Sequence, residues 1–487
     1  MVRPHSSSLS ARAVAAEVLR QFDPQHAYAG PILNRLLSKT SEKQRATDLV
    51  FGTIRNLPAI DTVITQFSGR RIERITKSLL AVIRIGAYEL IYSPDNPPYS
   101  IVNEAVNTAK RTGGRKQTGF VNAVLRAVLR HITERQIELA VATATRTLPQ
   151  NPRSGCAFDT DFLDDPETDL ASHLSKSFSL PLWLIEAWLD EFGPEHTRDI
   201  CFGCNRRPSV YVRANSLKTN ETALLERLAA GGVQATPVPV EATLCGCLGR
   251  LKGLPLQVRA PQAVAQLPGF AEGWFTVQDI SASNAVRLLD PQPGWTILDL
   301  CAAPGTKTTQ LAEWTHDEAP IVATDIDRKR LAKLDENLTR LGLRSVTVVP
   351  YDAGRRREAG DRRHSSSLRP TAYNLSGFDA VLLDVPCSNT GVLAKRIEVR
   401  LRITPASVKR LTQTQRDLLE KAVPLVKPGG RICYSTCSIQ QAENGDLVRA
   451  FLEANQQFEL VREELILPSA ATFDHDGAYA AILVKRQ

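Results

Sequence analysis

Residues Thr296–Trp314 read TILDLCAAPGTKTTQLAEW. A short apolar run, Ile297-Leu-Asp-Leu300, leads into a turn of small residues, Cys301-Ala-Ala-Pro-Gly-Thr-Lys307, and a helical pattern follows from Thr308. This is a strand, a turn and a helix. Small side chains in such a turn let a ligand approach the backbone and the helix N-terminus.

The same alternation continues downstream. Ile321–Thr324, Val346–Val349, Ala380–Leu383 and Arg431–Tyr434 are short apolar segments separated by amphipathic ones. The pattern predicts a doubly wound, Rossmann-like α/β domain with a parallel sheet over residues 281–487. In such sheets ligands bind at the carboxyl ends of the strands. Asp325 ends the second strand, Asp352 follows the third and Asp384 ends the fourth. An acid after the second strand is suited to ribose hydroxyls. The loop Cys301, Ala302, Ala303, Pro304, Gly305, Thr306 and Lys307, together with Asp325, Asp352 and Asp384, is therefore the expected site for a nucleoside-bearing ligand. The chain has neither Gly-x-Gly-x-x-Gly nor a Gly-Lys-Ser/Thr loop, which argues against a dinucleotide or ATP.

Two further stretches place cysteines at strand ends: Asp384-Val-Pro-Cys-Ser-Asn-Thr-Gly391 and Lys427-Pro-Gly-Gly-Arg-Ile-Cys-Tyr-Ser-Thr-Cys-Ser438. If both strands share one parallel sheet, Cys387 and Cys437 emerge on its functional edge, while Cys433 lies inside the strand as core. Buried cysteines are commonly core filler, but two beside a candidate ligand site point to thiol chemistry. A reactive thiolate needs an electropositive setting, which Lys307 can supply.

Upstream, Val210–Asn215 alternates like a strand and Glu221–Ala230 follows like a helix. Residues 171–280 read as a helical segment and a small α+β RNA-binding module. Residues 136–170 contain a Pro-rich polar stretch and an acidic run (Asp159, Asp161, Asp164, Asp165, Glu167, Asp169) and read as a linker. Residues 1–135 show helical spacing throughout, as in Val121, Val124, Leu125 and Val128, and read as an all-helical domain.

Of 487 residues, 43% are hydrophobic, and the net charge is +8. Residues 1–131 hold 19 Lys and Arg against 9 Asp and Glu, a net of +10, and the rest of the chain nets −2. That asymmetry points to a polyanionic partner for the helical segment. The best apolar run, Leu79–Ile91, is short and carries Arg84 and Glu89, so no membrane span is expected. With no signal-peptide pattern at Met1–Arg12, the expected location is cytoplasmic. Nine scattered cysteines are not a disulfide framework. Cys201, Cys204, Cys245 and Cys247 have a spacing too tight at the second pair for a zinc site, and no metal is expected.

The stretches DLCAAPGTKTTQLA from Asp299, TDID from Thr324, LLDVPCSNTGV from Leu382 and KPGGRICYSTCS from Lys427 resemble the RNA cytosine-5 methyltransferases of the Sun/NOP group. The helical domain is similar to NusB-like RNA-binding domains, through AAEVLRQF from Ala15, DLVFGTIRN from Asp48, IGAYELIY from Ile85 and GFVNAVLRAVLR from Gly119. This domain order is similar to the members that act on small-subunit ribosomal RNA.

The resemblance implies S-adenosylmethionine as cofactor and a cytosine of 16S rRNA as target. It implies Cys437 as nucleophile, Cys387 as the thiol that assists product release, and cofactor contacts from Cys301 to Lys307, Asp325, Asp352 and Asp384, with Arg330 a further candidate. Carbon 5 of cytosine is a poor nucleophile until a thiolate adds to carbon 6, and covalent catalysis divides the reaction into easier steps. Asp384 is placed to act at the base's N3 and amino edge. The catalytic set is thus Cys437, Cys387, Asp384 and Lys307.

The chain departs from the family pattern at Thr306, usually glycine, at Val385, usually alanine, and at Asn389, usually glycine or alanine. Lys395-Arg-Ile-Glu398 lacks the usual proline, and Tyr351–Gly377, which carries the arginine-rich loop 353–370, is longer than usual. Alternatives are a tRNA cytosine-5 methyltransferase, or an RNA-binding antitermination factor with a silent enzyme domain. The protein is expected to be a monomer.

Overall fold

The structure, a computed structural model, describes residues 9–111, 114–239, 254–260, 262–351 and 377–487. The chain divides into two compact units. The described residues through Arg207, with Leu393–Ile403, form the first; those of Pro208–Val392 and Thr404–Gln487 form the second.

The first unit opens with seven helices: α1 (Ala11–Gln21), α2 (Ala29–Leu36), α3 (Lys43–Arg55), α4 (Leu57–Ser68), α5 (Lys77–Tyr92), α6 (Pro98–Lys110) and α7 (Arg115–His131). The apolar run in α5 is buried on almost every side. Its Glu89 is buried too, and Arg12 of α1 grips both carboxylate oxygens at 2.6 and 2.8 Å. A buried charge is tolerated only when paired in this way.

Residues 136–170 are not a linker. Three short antiparallel strands, β1 (Ile132–Glu138), β2 (Thr147–Pro149) and β3 (Ser154–Phe158), form a sheet in the order β1-β3-β2. Leu148, Cys156, Phe158 and Leu163 join the helical core. The acidic run is spent on local contacts: Asp159 with His131 at 2.9 Å, Asp161 with Arg146 at 2.7 Å, and Asp169 capping the next helix through Ser172 N. Strands this short show too little alternation to separate them from loop by pattern.

α8 (Leu170–Phe178) and α9 (Leu182–Asn205) complete the unit, with α9 broken at Gly193 ahead of Pro194. Residues Leu393–Ile403 also pack here, although they follow directly on the Cys387 motif in sequence. Ile397 enters the core, and Glu398 accepts from Ala29 N at 3.2 Å. Buried Arg400 donates to the carbonyls of Arg55 (2.9 Å), Phe178 (3.2 Å) and Cys204 (2.8 Å) and to Asn205 Oδ1 (2.6 Å). Burial lowers its pKa to about 10, so it stays charged at neutral pH. The segment Lys395–Glu398 therefore has a packing role.

The second unit begins with a four-stranded antiparallel sheet, β4 (Val210–Ala214), β5 (Gln234–Pro237), β6 (Leu256–Arg259) and β7 (Phe275–Val277) in the order β5-β6-β4-β7, packed on α10 (Glu221–Ala230). After α11 (Asn284–Leu289) comes the main sheet. Its elements are β8 (Ile297–Asp299), α12 (Thr306–Trp314), β9 (Ile321–Asp325), α13 (Arg328–Leu341), β10 (Val346–Pro350), β11 (Phe378–Asp384), α14 (Pro405–Ala422), β12 (Val426–Thr436), α15 (Gly445–Ala454), β13 (Phe458–Ile466) and β14 (Ala478–Lys485).

The strand order is β10-β9-β8-β11-β12-β14-β13. The first five are parallel, whereas β14 runs antiparallel to both its neighbours, β12 and β13, so the sheet is mixed rather than purely parallel. The order reverses between β8 and β11, and the crevice beyond their carboxyl ends is where this architecture binds ligands. Helix ends are well specified: Asp327 caps α13 through Lys329 N and Arg330 N, Gly342 ends it in the left-handed region, and Thr404 with Ser407 forms a capping box on α14. Arg213 of β4 pairs with buried Glu313 of α12 and donates to Gln278 at 2.6 Å, tying the small sheet to the main one.

Candidate active site

The Cys301–Lys307 turn leaves β8 at the switch point. Gly305 caps α12 with φ 104°, and a Cβ there would lie 2.3 Å from Leu334 Cδ1. Only glycine satisfies both the torsion and the space. The turn is held by Asp325 at the end of β9. One carboxylate oxygen accepts from Ala303 N at 3.1 Å and the other from Asp327 N at 2.8 Å. Arg330 donates to the Ala303 carbonyl and so braces the loop. Cys301 is in the loop, and burial together with Asp299, Asp384 and Asp325 pushes its thiol well up, which leaves it unreactive.

Asp299 was not singled out from the sequence. It is 1% exposed; one oxygen accepts from Thr308 Oγ1 at 2.7 Å and the other has no partner. Burial raises its pKa to about 7, and nearby Asp384 adds to the rise. Asp352 and residues 353–370 lie outside the described residues, as do Cys245 and Cys247. Cys201 and Cys204 are buried in α9.

β11 and β12 pair in parallel with Asp384 opposite Ser435, so the two cysteine motifs leave the sheet side by side. Cys387 Sγ and Cys437 Sγ stand 3.2 Å apart. Cys433 is core, its Sγ directed at the Ala285 carbonyl at 3.4 Å. Lys307 Nζ meets Asp384 Oδ1 at 2.8 Å. Burial disfavours the ammonium, but Asp384 outweighs it and the lysine pKa is raised. Lys307 and Cys437 line one cavity of about 50 Å³ with Asp279, Asn284, Asp476 and Tyr479.

The two cysteines differ in setting. Cys387 is buried, and a hydrogen bond with Cys437, then burial, then the charges of Cys437 and Glu443 hold its thiol well up. Cys437 is partly exposed and faces the cavity it shares with Lys307. Asn389 sits in the left-handed region at φ 63°, which asparagine tolerates. Its Nδ2 donates to the Cys387 carbonyl at 2.7 Å, and its Oδ1 accepts from Cys437 Sγ at 3.4 Å. The departure from glycine or alanine at this position thus adds a contact to both cysteines. Gly391 N donates to the Cys437 carbonyl at 3.0 Å, and a Cβ on Gly391 would lie 2.8 Å from that oxygen, so the two loops need glycine to touch.

Residues 286–482 match the 16S rRNA methyltransferase RsmB/F family, residues 9–130 the NusB family, and residues 180–244 the ferredoxin-like domain of RsmF/B-like methyltransferases. A protein of Synechocystis sp. named probable ribosomal RNA small subunit methyltransferase B is 32% identical over 95% of this chain and 94% of its own length. The chain belongs to the 16S rRNA methyltransferase RsmB/F family. Ribosomal RNA small subunit methyltransferase B of Yersinia pseudotuberculosis is 31% identical over 98% of both chains. The crystal structure of a methyltransferase homolog protein from Pyrococcus horikoshii covers 65% of this chain and 99% of its own, at 26% identity and a TM-score of 0.51.

Family membership makes this an S-adenosylmethionine-dependent RNA methyltransferase, and the mixed sheet with a NusB domain and a ferredoxin-like module is the family's architecture. Lys307, Asp384, Cys387 and Cys437 lie within the residues matched by the RsmB/F family, 286–482. Among the described residues no helix is long and apolar enough to cross a membrane, and no group of His, Cys, Asp and Glu is arranged to hold a metal ion.

Proposed function

We propose that the protein methylates carbon 5 of a cytosine in 16S rRNA, with Cys437 as the covalent nucleophile and Cys387 as the proton-carrying thiol. The observation that carries this reading is the 3.2 Å sulfur contact beside the Lys307–Asp384 pair. S-adenosylmethionine, when bound, supplies an electrophilic methyl group. The residues fit it: Asp325 ends β9 with its carboxylate at the Cys301–Lys307 turn, and Asp299 keeps a buried oxygen without a partner.

In this reading Asp325 holds the ribose hydroxyls, and the backbone from Cys301 to Lys307 cradles the ligand with Asp384 and Asp352. The sulfur of Cys437, on the cavity it shares with Lys307, adds as the thiolate to carbon 6 of the base. Asp384, fixed by Lys307, meets the amino edge of the cytosine. As the carbon 6–sulfur bond breaks, Cys387 passes its proton to the departing Cys437 sulfur 3.2 Å away and takes up the proton released from carbon 5. The enzyme works as a monomer, and a cytoplasmic location follows from its substrate.

The direct test is transfer of labelled methyl from S-adenosylmethionine to 16S rRNA and to tRNA, with the product mapped at base resolution. Label at carbon 5 of one 16S cytosine is expected. Label confined to tRNA, or no label on either, would discard the assignment.

RNA capture is assigned to the helical unit. Lys110, Arg111, Arg115 and Lys116 are exposed around the turn between α6 and α7. Replacing all four with alanine is expected to weaken RNA binding and to flatten its salt dependence by roughly 0.7–0.9 in log–log slope for each phosphate left unneutralised. Titrations at several salt concentrations measure this, and an unchanged slope would move the RNA elsewhere.

A further inference from the structure

Glu443 is fully buried just beyond the Cys437 motif, and its carboxylate collects four donors. Oε1 accepts from Ser388 N at 2.8 Å and from Gln415 Nε2 at 2.9 Å. Oε2 accepts from Ser438 Oγ at 2.5 Å and from Ser388 Oγ. Ser388 follows Cys387 and Ser438 follows Cys437, so one carboxylate grips the residue after each cysteine. The loops are laced further: Thr390 Oγ1 lies 3.0 Å from Ser438 Oγ, and Gln415 Nε2 donates to the Pro386 carbonyl at 3.0 Å. The Glu443 backbone carbonyl accepts from Tyr434 OH at 2.6 Å, which anchors the hub to β12.

A buried carboxylate without a cation beside it is costly unless donors satisfy it, and here they come from both cysteine loops. Its removal leaves the Ser388 N–H without its acceptor and takes one partner each from the Ser388 and Ser438 hydroxyls and the Gln415 amide, so that the Thr390–Ser438 and Gly391–Cys437 contacts are left to hold the two loops without a common acceptor. We propose that Glu443 is a positioning residue that holds Cys387 and Cys437 in thiol contact, so that attack and release use one fixed pair of sulfurs. The inference rests on the covalent reading above for its catalytic consequence, but its geometric content stands apart from it.

The test uses the full-length protein. Diamide couples two neighbouring thiols: both lose their protons and one electron each, the S–S bond forms, and the diazene is reduced to a hydrazine. Mass spectrometry of the linked peptides gives the rate of Cys387–Cys437 coupling without RNA. Glu443→Ala is expected to slow coupling about 10-fold and to lower kcat about 100-fold, the scale of a 1 Å misplacement, with KM for S-adenosylmethionine within about 2-fold. Ser438→Ala removes one of the four donors to Glu443, together with the Ser438 contacts to Thr390 and Ser388, and is the variant to read if Glu443→Ala fails to fold; coupling should slow about 3- to 10-fold, the scale of a lost hydrogen bond. Coupling at the wild-type rate in Ser438→Ala and in any folded Glu443→Ala overturns the proposal, as does a raised KM with kcat unchanged. If coupling slows as expected but the wild-type protein transfers no methyl to cytosine, the proposed function fails and the Glu443 geometry stands.

Discussion

Cys437→Ala is expected to lose roughly 10⁴-fold or more of methyl transfer, the scale on which a catalytic nucleophile is missed, and to form no covalent RNA complex. Cys387→Ala is expected to behave differently. Cys437 remains beside Lys307 and can still add to carbon 6, so the base is still activated. What is lost is the buried thiol 3.2 Å away, kept protonated by its hydrogen bond to Cys437, by burial and by Glu443. Without it, removal of the carbon-5 proton and departure of the Cys437 sulfur stall, and the protein accumulates bonded to RNA. Incubation with substrate and a denaturing gel reads both outcomes as a slow band. The opposite pattern, an adduct from Cys437→Ala and none from Cys387→Ala, would exchange the two roles while leaving the cofactor site as described.

Asp325→Ala should weaken S-adenosylmethionine binding about 100-fold, the cost of leaving buried donors without their acceptor, while RNA affinity changes little. The side chain has two tasks in this reading. It holds the turn through Ala303 N and Asp327 N, and its remaining lone pairs face the ribose. The basic surface assigned to RNA lies in the helical unit, which the substitution does not touch. Calorimetry with S-adenosylmethionine decides the matter, and an unchanged affinity would remove Asp325 from the site.

Much of this is legible in the order of residues along the chain, because it is carried by local pattern. The β8–turn–α12 pattern is continuous from Ile297 to Trp314, each acid sits at or just after the end of its strand and each cysteine motif is a short run, and strand and helix periods follow directly from backbone geometry. Helix Glu221–Ala230 is readable to its ends, since Asn220 caps it and the small module follows a simple pattern. The sequence could not reveal that residues 136–170 form a sheet, because Leu148, Cys156 and Phe158 acquire meaning only against a helical core assembled from distant residues. Nor could it show that Leu393–Ile403 packs with the first unit, where Arg400 satisfies carbonyls some 200 to 350 positions away in sequence. Nor does pattern announce that β14 runs antiparallel to both β12 and β13, because parallel and antiparallel strands share the same side-chain period of two. Glu443 is the clearest case. A lone acid in a turn looks like a solvated charge until residues 388, 415 and 438 converge on it, and that convergence is a property of the folded sheet edge alone.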